Sequence, residues 1–459
     1  MDSLGILTLI PPIAIIAIAV TTKKTSSSLL IGVLLCCVLQ SGTGFLDTFI
    51  DLIYRVGTSS DTIWIIVFTA IFGIFIQLIS ISKGERAFLY AMGRLAKTPR
   101  RTMLLSWIAG LVVFFDDFTS VAIRGMMTKL YDRQKLPRAM LSYITDATGS
   151  PLCILIPFGT WAVFYQSLFS GYAEVTSLGP VMDTYTKAIP LMFYGWAALI
   201  ISLLAACQLI KPMGAMKKAF IRAETTGQLY GPESAAYNTG DGGDIPDEMG
   251  KKEFVQGAVC FLVPILVLII TALVTLDALK AVIIAVGVMI PLYLALRVVS
   301  WGDMMDASMK GIVSMTSMSV IVFMAYMLKE AITDIGLPTY VISLVAPVMS
   351  PALLPLITFM ACVALTFTTG SNWGGTVGVT AIVIPLAAVM GASIPLTLAA
   401  IVSGAAFGAH VCFYTDVTVF PSTMTRIDNQ EHAVTQLPYG LLGMLISAAA
   451  YAVAGYIAI

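Results

Sequence analysis

Apolar stretches of about 20 residues recur along this chain, and their length constrains the fold more than any other feature of the sequence. Backbone N–H and C=O groups find no water inside a lipid bilayer, so an apolar stretch of that length forms a helix. Charged residues make up 11% of the sequence, whereas soluble domains contain about 25%. The sequence therefore predicts an all-α polytopic membrane protein. Its net charge of zero gives no indication of nucleic-acid binding.

Ten of the apolar stretches have the length and composition of simple transmembrane helices. The first is expected to be a membrane helix rather than a cleaved signal, because no basic segment precedes it. Two further stretches, about 102–123 and about 351–391, do not behave as simple spans. The ten predicted spans are 4–20, 28–46, 61–82, 139–165, 188–210, 254–276, 279–299, 312–334, 396–420 and 436–458.

Basic residues decide how the two remaining stretches are arranged. Residues 83–101 and 124–138 are both rich in Lys and Arg, so both are expected in the cytoplasm. A single crossing cannot join two cytoplasmic loops, so 102–123 is predicted to be a re-entrant hairpin. A matching hairpin over 351–391, entering from outside, lets the later loops alternate without conflict. This layout describes a multi-pass protein of the cell (plasma or inner) membrane with both termini outside the cytoplasm.

The layout divides the chain into two halves of five spans each, 1–210 and 254–459. An odd number of spans reverses the orientation of the second half, which makes an inverted repeat, a common plan among transporters. Each half contains one hairpin and one helix predicted to break at the bilayer midplane, over about 139–165 and about 396–420. The polar segment 211–253 between the halves is interpreted as a cytoplasmic, partly disordered linker.

Four aspartates lie within apolar surroundings: Asp116, Asp117, Asp146 and Asp416. A charge at the centre of a membrane helix costs about 2.5–3.5 kcal/mol, and such residues usually mark an ion or proton pathway. The first two are adjacent, in FFDDF, so they cannot share one face of a helix. An aspartate at a hairpin tip could instead cap a half-helix, which is the structural alternative for Asp117.

The two predicted helix breaks are rich in oxygen ligands. Gly149 and Pro151, in ITDATGSPL, are expected to break the first helix, and the glycine-rich SGAAFGA before Asp416 is expected to break or loosen the second. Broken helices expose half-helix ends, and oxygen-rich sites suit hard cations such as Na⁺. The candidate cation or proton-relay residues at the breaks are Asp146, Thr148, Asp416, Thr415 and Thr418, with Ser150 as a further oxygen.

Two other groups of residues are candidates. His410 could carry a proton, because histidine titrates near physiological pH, or it could be a satisfied packing residue. The turn TTGSNWGGT could hold substrate through Ser371, Asn372, Trp373 and Gly374, with Ser150 as a further substrate-binding candidate, or its polar residues could simply satisfy a tight turn. No cofactor is expected, since Na⁺ and H⁺ are transported or coupling ions and the sequence contains no Walker loop, HExxH or GxSxG.

Several segments resemble the NhaC-type Na⁺/H⁺ antiporter family of the ion transporter superfamily. FFDDF followed by YDRQKLPRAMLSYITDATGSPL is similar to its first-half motif, and GSNWGG, GAHVCFYTDVTVFPS and RIDNQEHAVTQLPYGLL are similar to its second-half motifs. The resemblance is close over about 100–165 and 368–442. It implies cation binding or relay, and the superfamily implies a homodimer. The implied Na⁺ ligands are Asp116, Asp146, Asn372 and Asp416, with Asp117 as a further relay position.

The chain departs from the family pattern in its second half, at Gly375, Ala409, Phe413 and Val417. An acidic residue usually stands where this chain has Ala409. Two functions therefore stay open. One is Na⁺/H⁺ antiport, in which Asp146 and Asp416 bind either ion but not both. The other is Na⁺- or H⁺-coupled transport of a small carboxylate or amino acid, held by the SNWG turn and half-helix N-termini. A channel or an enzyme is disfavoured.

Overall fold

The computed structural model of the chain is helical and contains no β-strand in the residues that it describes. Most described residues therefore satisfy their backbone hydrogen bonds locally, as the apolar composition requires. The described residues are 4–22, 25–82, 84–112, 127–238, 249–275, 277–345, 347, 349–369, 374–413 and 415–458.

The first half of the chain and the linker contain helices of very different length. Short 3₁₀ helices at Gly5–Leu9, Gly42–Gly44, Ile189–Leu191 and Pro232–Asn238 accompany them. The α-helices are α1 (Ile10–Thr22), α2 (Thr25–Ser41), α3 (Phe45–Gly57), α4 (Ser60–Ile81), α5 (Gly84–Leu95), α6 (Pro99–Val112), α7 (Thr128–Arg133), α8 (Arg138–Ala147), α9 (Ser150–Cys153), α10 (Thr160–Ser170), α11 (Ala173–Thr176), α12 (Val181–Ala188), α13 (Phe193–Ala206) and α14 (Gly214–Thr226).

The second half of the chain contains longer helices, together with one 3₁₀ turn at Pro351–Leu353. Its helices are α15 (Lys251–Thr275), α16 (Ala278–Ala295), α17 (Trp301–Asp334), α18 (Leu337–Val345), α19 (Leu354–Thr369), α20 (Gly374–Met390), α21 (Ile394–Val411), α22 (Asp416–Met424) and α23 (Asn429–Ile457).

Six helical segments within the described ranges are long and apolar enough to cross a membrane, which makes this a multi-pass membrane protein. A seventh results if Val181–Leu191 and Phe193–Ala206, bent by 50°, form one span. Fewer spans than the predicted ten pass this test; breaks divide the stretches 139–165 and 188–210 into shorter helices, whereas 312–334 lies within the unbroken helix α17. The six are Ser27–Gly57, Thr62–Ile81, Lys251–Ala272, Ala278–Ala295, Ile394–Val411 and Asn429–Ile457.

The stretch 139–165 illustrates such a break. The α8 helix ends at Ala147, the four-residue α9 begins at Ser150, and α10 starts only at Thr160. Pro151 occupies the first turn of α9, where its missing N–H costs no intrahelical bond. The predicted span is thus three short helices, with Asp146 one residue before the first interruption.

The predicted broken helix of the second half, 396–420, is interrupted later in the chain than the glycine-rich segment SGAAFGA suggested. Helix α21 continues through Gly404 and Gly408 and ends at Val411, and α22 begins at Asp416. The two glycines serve packing instead: a Cβ on Gly408 would lie 2.9 Å from the backbone carbonyl carbon of Thr366 on α19, and one on Gly404 would lie 2.7 Å from a carbonyl oxygen of the same helix. Small residues four apart let two membrane helices approach closely, so SGAAFGA tightens α21 against α19 and does not loosen it.

The two predicted hairpins fall partly outside the described residues. Helix α6 ends at Val112, and residues 113–126, which contain FFDDF, are not described. Helices α19 and α20 pack against each other, and residues 370–373 between them are not described. The hairpins, and with them the inverted repeat and the boundaries of its halves, stay predictions.

The described part of the linker is folded. Helix α14 and the 3₁₀ turn Pro232–Asn238 lie against the N-terminal part of α23, and the backbone of Leu229 bonds to the start of α8. We call this end of the molecule the linker face. Residues 239–248 are not described.

Candidate functional site

The most completely buried contact between an acidic and a basic side chain in the described residues joins Asp146 to His432. Asp146 is the penultimate residue of α8, and His432 is the fourth residue of α23. The Oδ2 atom of Asp146 lies 3.0 Å from Nε2 of His432, and neither side chain is exposed to solvent. The two residues are 286 positions apart in sequence. The fold thus brings a predicted site residue onto a partner from the other half of the chain.

A second pair of contacts extends the site to His410. Gln436 lies one turn after His432 on the same face of α23, and its Nε2 donates to the backbone carbonyl of His410 over 2.6 Å. The Nδ1 atom of His410 lies 2.7 Å from the hydroxyl of Tyr194 on α13. We call Asp146, His432, Gln436, His410 and Tyr194 the polar cluster. It joins α8, α13, α21 and α23, so two residues proposed from sequence, Asp146 and His410, belong to one site.

Aromatic rings surround the polar cluster. The ring of Tyr143, one turn before Asp146, stacks on Tyr439 with centroids 4.4 Å apart and lies parallel to His410 at 6.3 Å. Phe407 meets Tyr194 edge-on at 5.3 Å. Such walls exclude water and lower the local dielectric, which strengthens every electrostatic interaction inside.

Several buried polar atoms in and beside the cluster lack a partner among the described residues. They are His410 Nε2, His432 Nδ1 and Gln436 Oε1, together with the hydroxyls of Ser142 and Thr145 on α8. Buried polar side-chain atoms in native proteins are nearly always hydrogen-bonded. A concentration of unsatisfied donors and acceptors around one buried carboxylate is the arrangement expected of a site that binds a charged or polar solute.

Thr415 and Thr418, predicted as cation ligands, have a structural role as capping residues. Both hydroxyls donate to the carbonyl of Ala409, over 2.9 and 3.1 Å, which satisfies one of the last carbonyls of α21. Thr415 is also the N-cap of α22 and accepts from the backbone N–H of Thr418. Their hydroxyls are therefore committed to capping at the break, and a cation role for them stays a prediction.

We expect the substitution Thr415→Ala to lower the free energy of unfolding by about 1–2 kcal/mol, because it removes an N-cap and a buried carbonyl partner at once. Thermal unfolding of the detergent-purified protein measures this. The half-saturating Na⁺ concentration should change little.

Thr423→Ala, at an exposed threonine on the same helix, is the matched control and should change stability far less. The capping interpretation is wrong if Thr415→Ala leaves stability intact and weakens Na⁺ affinity.

The remaining predicted site residues are only partly visible. Thr148, which directly follows α8, donates to the carbonyl of Ile144 in the last turn of that helix, over 2.6 Å. The hydroxyl of Ser150 is buried and has no partner in the described residues. Helix α20 begins at Gly374. Helix α22 begins at Asp416, whose side chain lies outside the described part of the structure. Asp116, Asp117, Ser371, Asn372 and Trp373 lie outside it altogether.

Sequence reasoning missed three residues of α23: His432, Gln436 and Tyr439. A usable signal was present, because these positions follow the i, i+4, i+7 spacing that places side chains on one face of a helix. They also lie in RIDNQEHAVTQLPYGLL, a segment whose family resemblance alone made it notable. What no local pattern indicated is that this face meets Asp146.

Solved transporter structures share this fold. MtrF of Neisseria gonorrhoeae, described as one of a class of antimetabolite efflux pumps, superposes with a TM-score of 0.58 at 12% identity over 90% of this chain and 85% of its own. The Alcanivorax borkumensis YdaH transporter superposes with a TM-score of 0.51 at 14% identity, covering 90% and 89%. At such identities the likeness concerns the fold alone.

Related sequences include an uncharacterised protein of Haemophilus influenzae, 26% identical over 99% of this chain and 92% of its own length. The malate-2H⁺/Na⁺-lactate antiporter of Bacillus subtilis is 32% identical over 23% of each chain. The arginine/ornithine antiporter ArcD of Halobacterium salinarum is 27% identical over 35% of this chain and 33% of its own.

The sequence model of the Na⁺/H⁺ antiporter family matches residues 152–456, about two-thirds of the chain, including α21, α22 and α23. That match contains four of the five residues of the polar cluster, all but Asp146. The resemblance first suggested by short motifs therefore extends over the whole second half. This chain belongs to the Na⁺/H⁺ antiporter family.

Proposed function

We propose that this membrane transporter exchanges Na⁺ for H⁺ and that the Asp146–His432 pair is its proton-binding element. The observation that carries the proposal is the contact itself: a carboxylate and an imidazole 3.0 Å apart, both fully buried. Burying such a pair is costly because both groups lose their hydration. We therefore infer that the pair has a function.

Charge neutrality supplies the mechanism. With one proton shared between carboxylate and imidazole, the pair has no net charge in either arrangement, as an ion pair or as a neutral hydrogen bond. With no proton, it carries one negative charge in surroundings where an uncompensated charge is expensive. A Na⁺ ion beside the deprotonated carboxylate restores neutrality. One proton and one Na⁺ are thus alternative ways to neutralise the same site.

Competition at one site couples the two fluxes. If the loaded forms cross between the two faces more readily than the charged empty form, each Na⁺ that leaves on one side is replaced by a proton. His410 and Tyr194, joined to α23 through Gln436, would carry protons toward the pair. Asp116, Asp117 and Asp416 are proposed as further carboxylates on the pathway, within the predicted arrangement of ten spans and two hairpins. A homodimer in the cell membrane is likewise proposed.

A second function is favoured by the relatives. Two of them are named as exchangers of organic solutes, one of malate and lactate and one of arginine and ornithine. The unsatisfied atoms His410 Nε2 and Gln436 Oε1 would suit a carboxylate or an amino group of such a solute. In this second function the Asp146–His432 pair still binds the coupling ion, and the predicted SNWG turn holds the organic solute.

The pH dependence tests the exchange directly. We expect Na⁺ alone to dissipate an acid-inside pH gradient in proteoliposomes containing the purified protein and a trapped pH dye. Because Na⁺ binds only the deprotonated pair, the half-saturating Na⁺ concentration should rise about tenfold for each unit of pH decrease in the acidic range.

Empty liposomes and K⁺ in place of Na⁺ are the controls. If Na⁺ has no effect until malate, lactate, arginine or ornithine is added, the second function replaces the first. If the Na⁺ requirement is independent of pH while Na⁺ still moves protons, the two ions do not compete for one site.

A further inference from the structure

The carboxylate of Glu431, next to His432, gathers three donors from the linker. The guanidinium of Arg222 donates to Oε1 over 2.5 Å, and the backbone N–H of Gly231 and the hydroxyl of Ser234 donate to Oε2 over 2.7 and 2.6 Å. Ser234 also accepts from the backbone N–H of Asp428, the N-cap of α23. Glu431 is only 12% exposed. Such charge-assisted bonds in partly buried surroundings are among the stronger polar contacts in proteins.

The same segment is attached to α8. The carbonyl of Leu229 accepts from the backbone N–H of Arg138, the first residue of α8, over 2.9 Å. The guanidinium of Arg138 lies over the ring of Tyr230 at 4.9 Å and forms two hydrogen bonds to the carboxylate of Asp132. Tyr230 immediately precedes Gly231, whose amide donates to Glu431. Residues 229–234 therefore bridge the first residues of α8 and α23.

A third attachment lies at the beginning of the segment. The backbone N–H of Met213 donates to the hydroxyl of Tyr439 over 3.1 Å, and Tyr439 stacks on Tyr143 beside the polar cluster. We call residues 213–234 the strap. All three attachments join the strap to the two helices that contribute Asp146 and His432.

The strap forms part of the wall of a cavity of about 1030 Å³. Its lining includes Phe220, Ala223 and Leu229 of the strap, Met103 of α6 and Met140 of α8. Met140 precedes Asp146 by six residues, about 9 Å along the helix axis. The strap therefore shares a cavity with α8, six residues before Asp146.

We propose that the strap closes the linker face beneath the Asp146–His432 pair, that it must release for the pair to become accessible from that face, and that Glu431 is the positioning residue that fastens it. The proposal rests on the function proposed above only in taking this pair as the ion-binding element. Any movement that separates the start of α8 from the start of α23 must break the attachments at Arg138 or those at Glu431.

A reversible cross-link tests whether release is required. Ser234→Cys and Asp428→Cys introduce thiols on two residues in direct contact, since the hydroxyl of Ser234 accepts from the backbone N–H of Asp428 over 2.7 Å. With a copper–phenanthroline oxidant we expect a disulfide and at least a tenfold loss of the exchange rate, restored by dithiothreitol. Each single variant under the same oxidant is the control, since the chain has seven native cysteines.

Each result of this experiment has a definite meaning. Undiminished exchange by the cross-linked protein overturns the proposal. The rate is measured for whichever exchange the uncross-linked protein performs, Na⁺/H⁺ or organic. An absence of Na⁺/H⁺ exchange before cross-linking is therefore a failure of the proposed function and not of the strap.

The substitution Glu431→Gln tests the fastening residue without a cross-link. We expect hydrogen–deuterium exchange of strap amides in the full-length protein to speed up about tenfold or more, because local opening becomes easier. The maximal exchange rate should change, while the half-saturating Na⁺ concentration changes less than twofold. Glu431→Asp, which keeps the charge, should restore part of the protection. Unaltered strap protection together with weaker Na⁺ binding would mean that Glu431 acts on the ion and not through the strap.

Discussion

The substitution Asp146→Asn should abolish Na⁺-driven proton movement while leaving the protein folded. Asparagine keeps the shape and can still bond to His432, but it carries no charge and takes up no proton. Removing one partner of a buried charge pair typically costs about 3–5 kcal/mol, and a loss of that size in cation binding corresponds to a roughly 10²–10⁴-fold weaker site. Proteoliposome exchange over a range of Na⁺ concentrations measures the loss.

The control for this variant is Asp306→Asn, the same chemical change at an exposed aspartate of α17. It should exchange Na⁺ at the normal rate. His432→Gln should retain a hydrogen bond to Asp146 but lose the second protonatable group, so its pH profile should change shape. Normal exchange by Asp146→Asn would remove the pair from the mechanism and leave Asp416, Asp116 and Asp117 as the remaining carboxylates.

Local chemistry made part of this architecture predictable. Low charge and long apolar stretches require helices in a bilayer, and no packing detail can override that requirement. Gly149 and Pro151 disfavour a continuous helix by their backbone properties alone, so the interruption after Asp146 follows from those two residues. A carboxylate beside such an interruption is therefore a reasonable candidate on the strength of its sequence neighbours alone.

The partners of that carboxylate could not be found in this way. The contact between Asp146 and His432 spans 286 residues, and it depends on how α8 packs against α23. The same dependence on distant packing explains the roles of Thr415 and Thr418. From the sequence their hydroxyl oxygens are plausible cation ligands, whereas in the structure they cap α21. It also explains SGAAFGA: glycine can loosen a helix or let a neighbour approach, and only the position of α19 decides between the two.

Close approach of glycines also holds the two halves of the chain together, at the crossing of α4 and α17. A Cβ on Gly73 would lie 2.2 Å from the carbonyl oxygen of Gly311, and a Cβ on Gly311 would lie 2.3 Å from that of Gly73. Thr69 and Ser319 form a hydrogen bond across the same interface. Because the obstacle on each side is backbone, neither helix can yield by changing a rotamer.

Gly73→Ala and Gly311→Ala are each expected to lower the free energy of unfolding by about 1–3 kcal/mol or more, since an added methyl group in a tightly packed interface forces the backbones apart. Thermal unfolding in detergent, followed by intrinsic fluorescence, measures the loss. Gly287→Ala is the matched control: it lies in an exposed helical position of α16 with no atom within 4 Å of the new Cβ. There the same change should stabilise the helix by up to about 1 kcal/mol. If all three variants behave alike, the α4–α17 crossing is looser than these distances require.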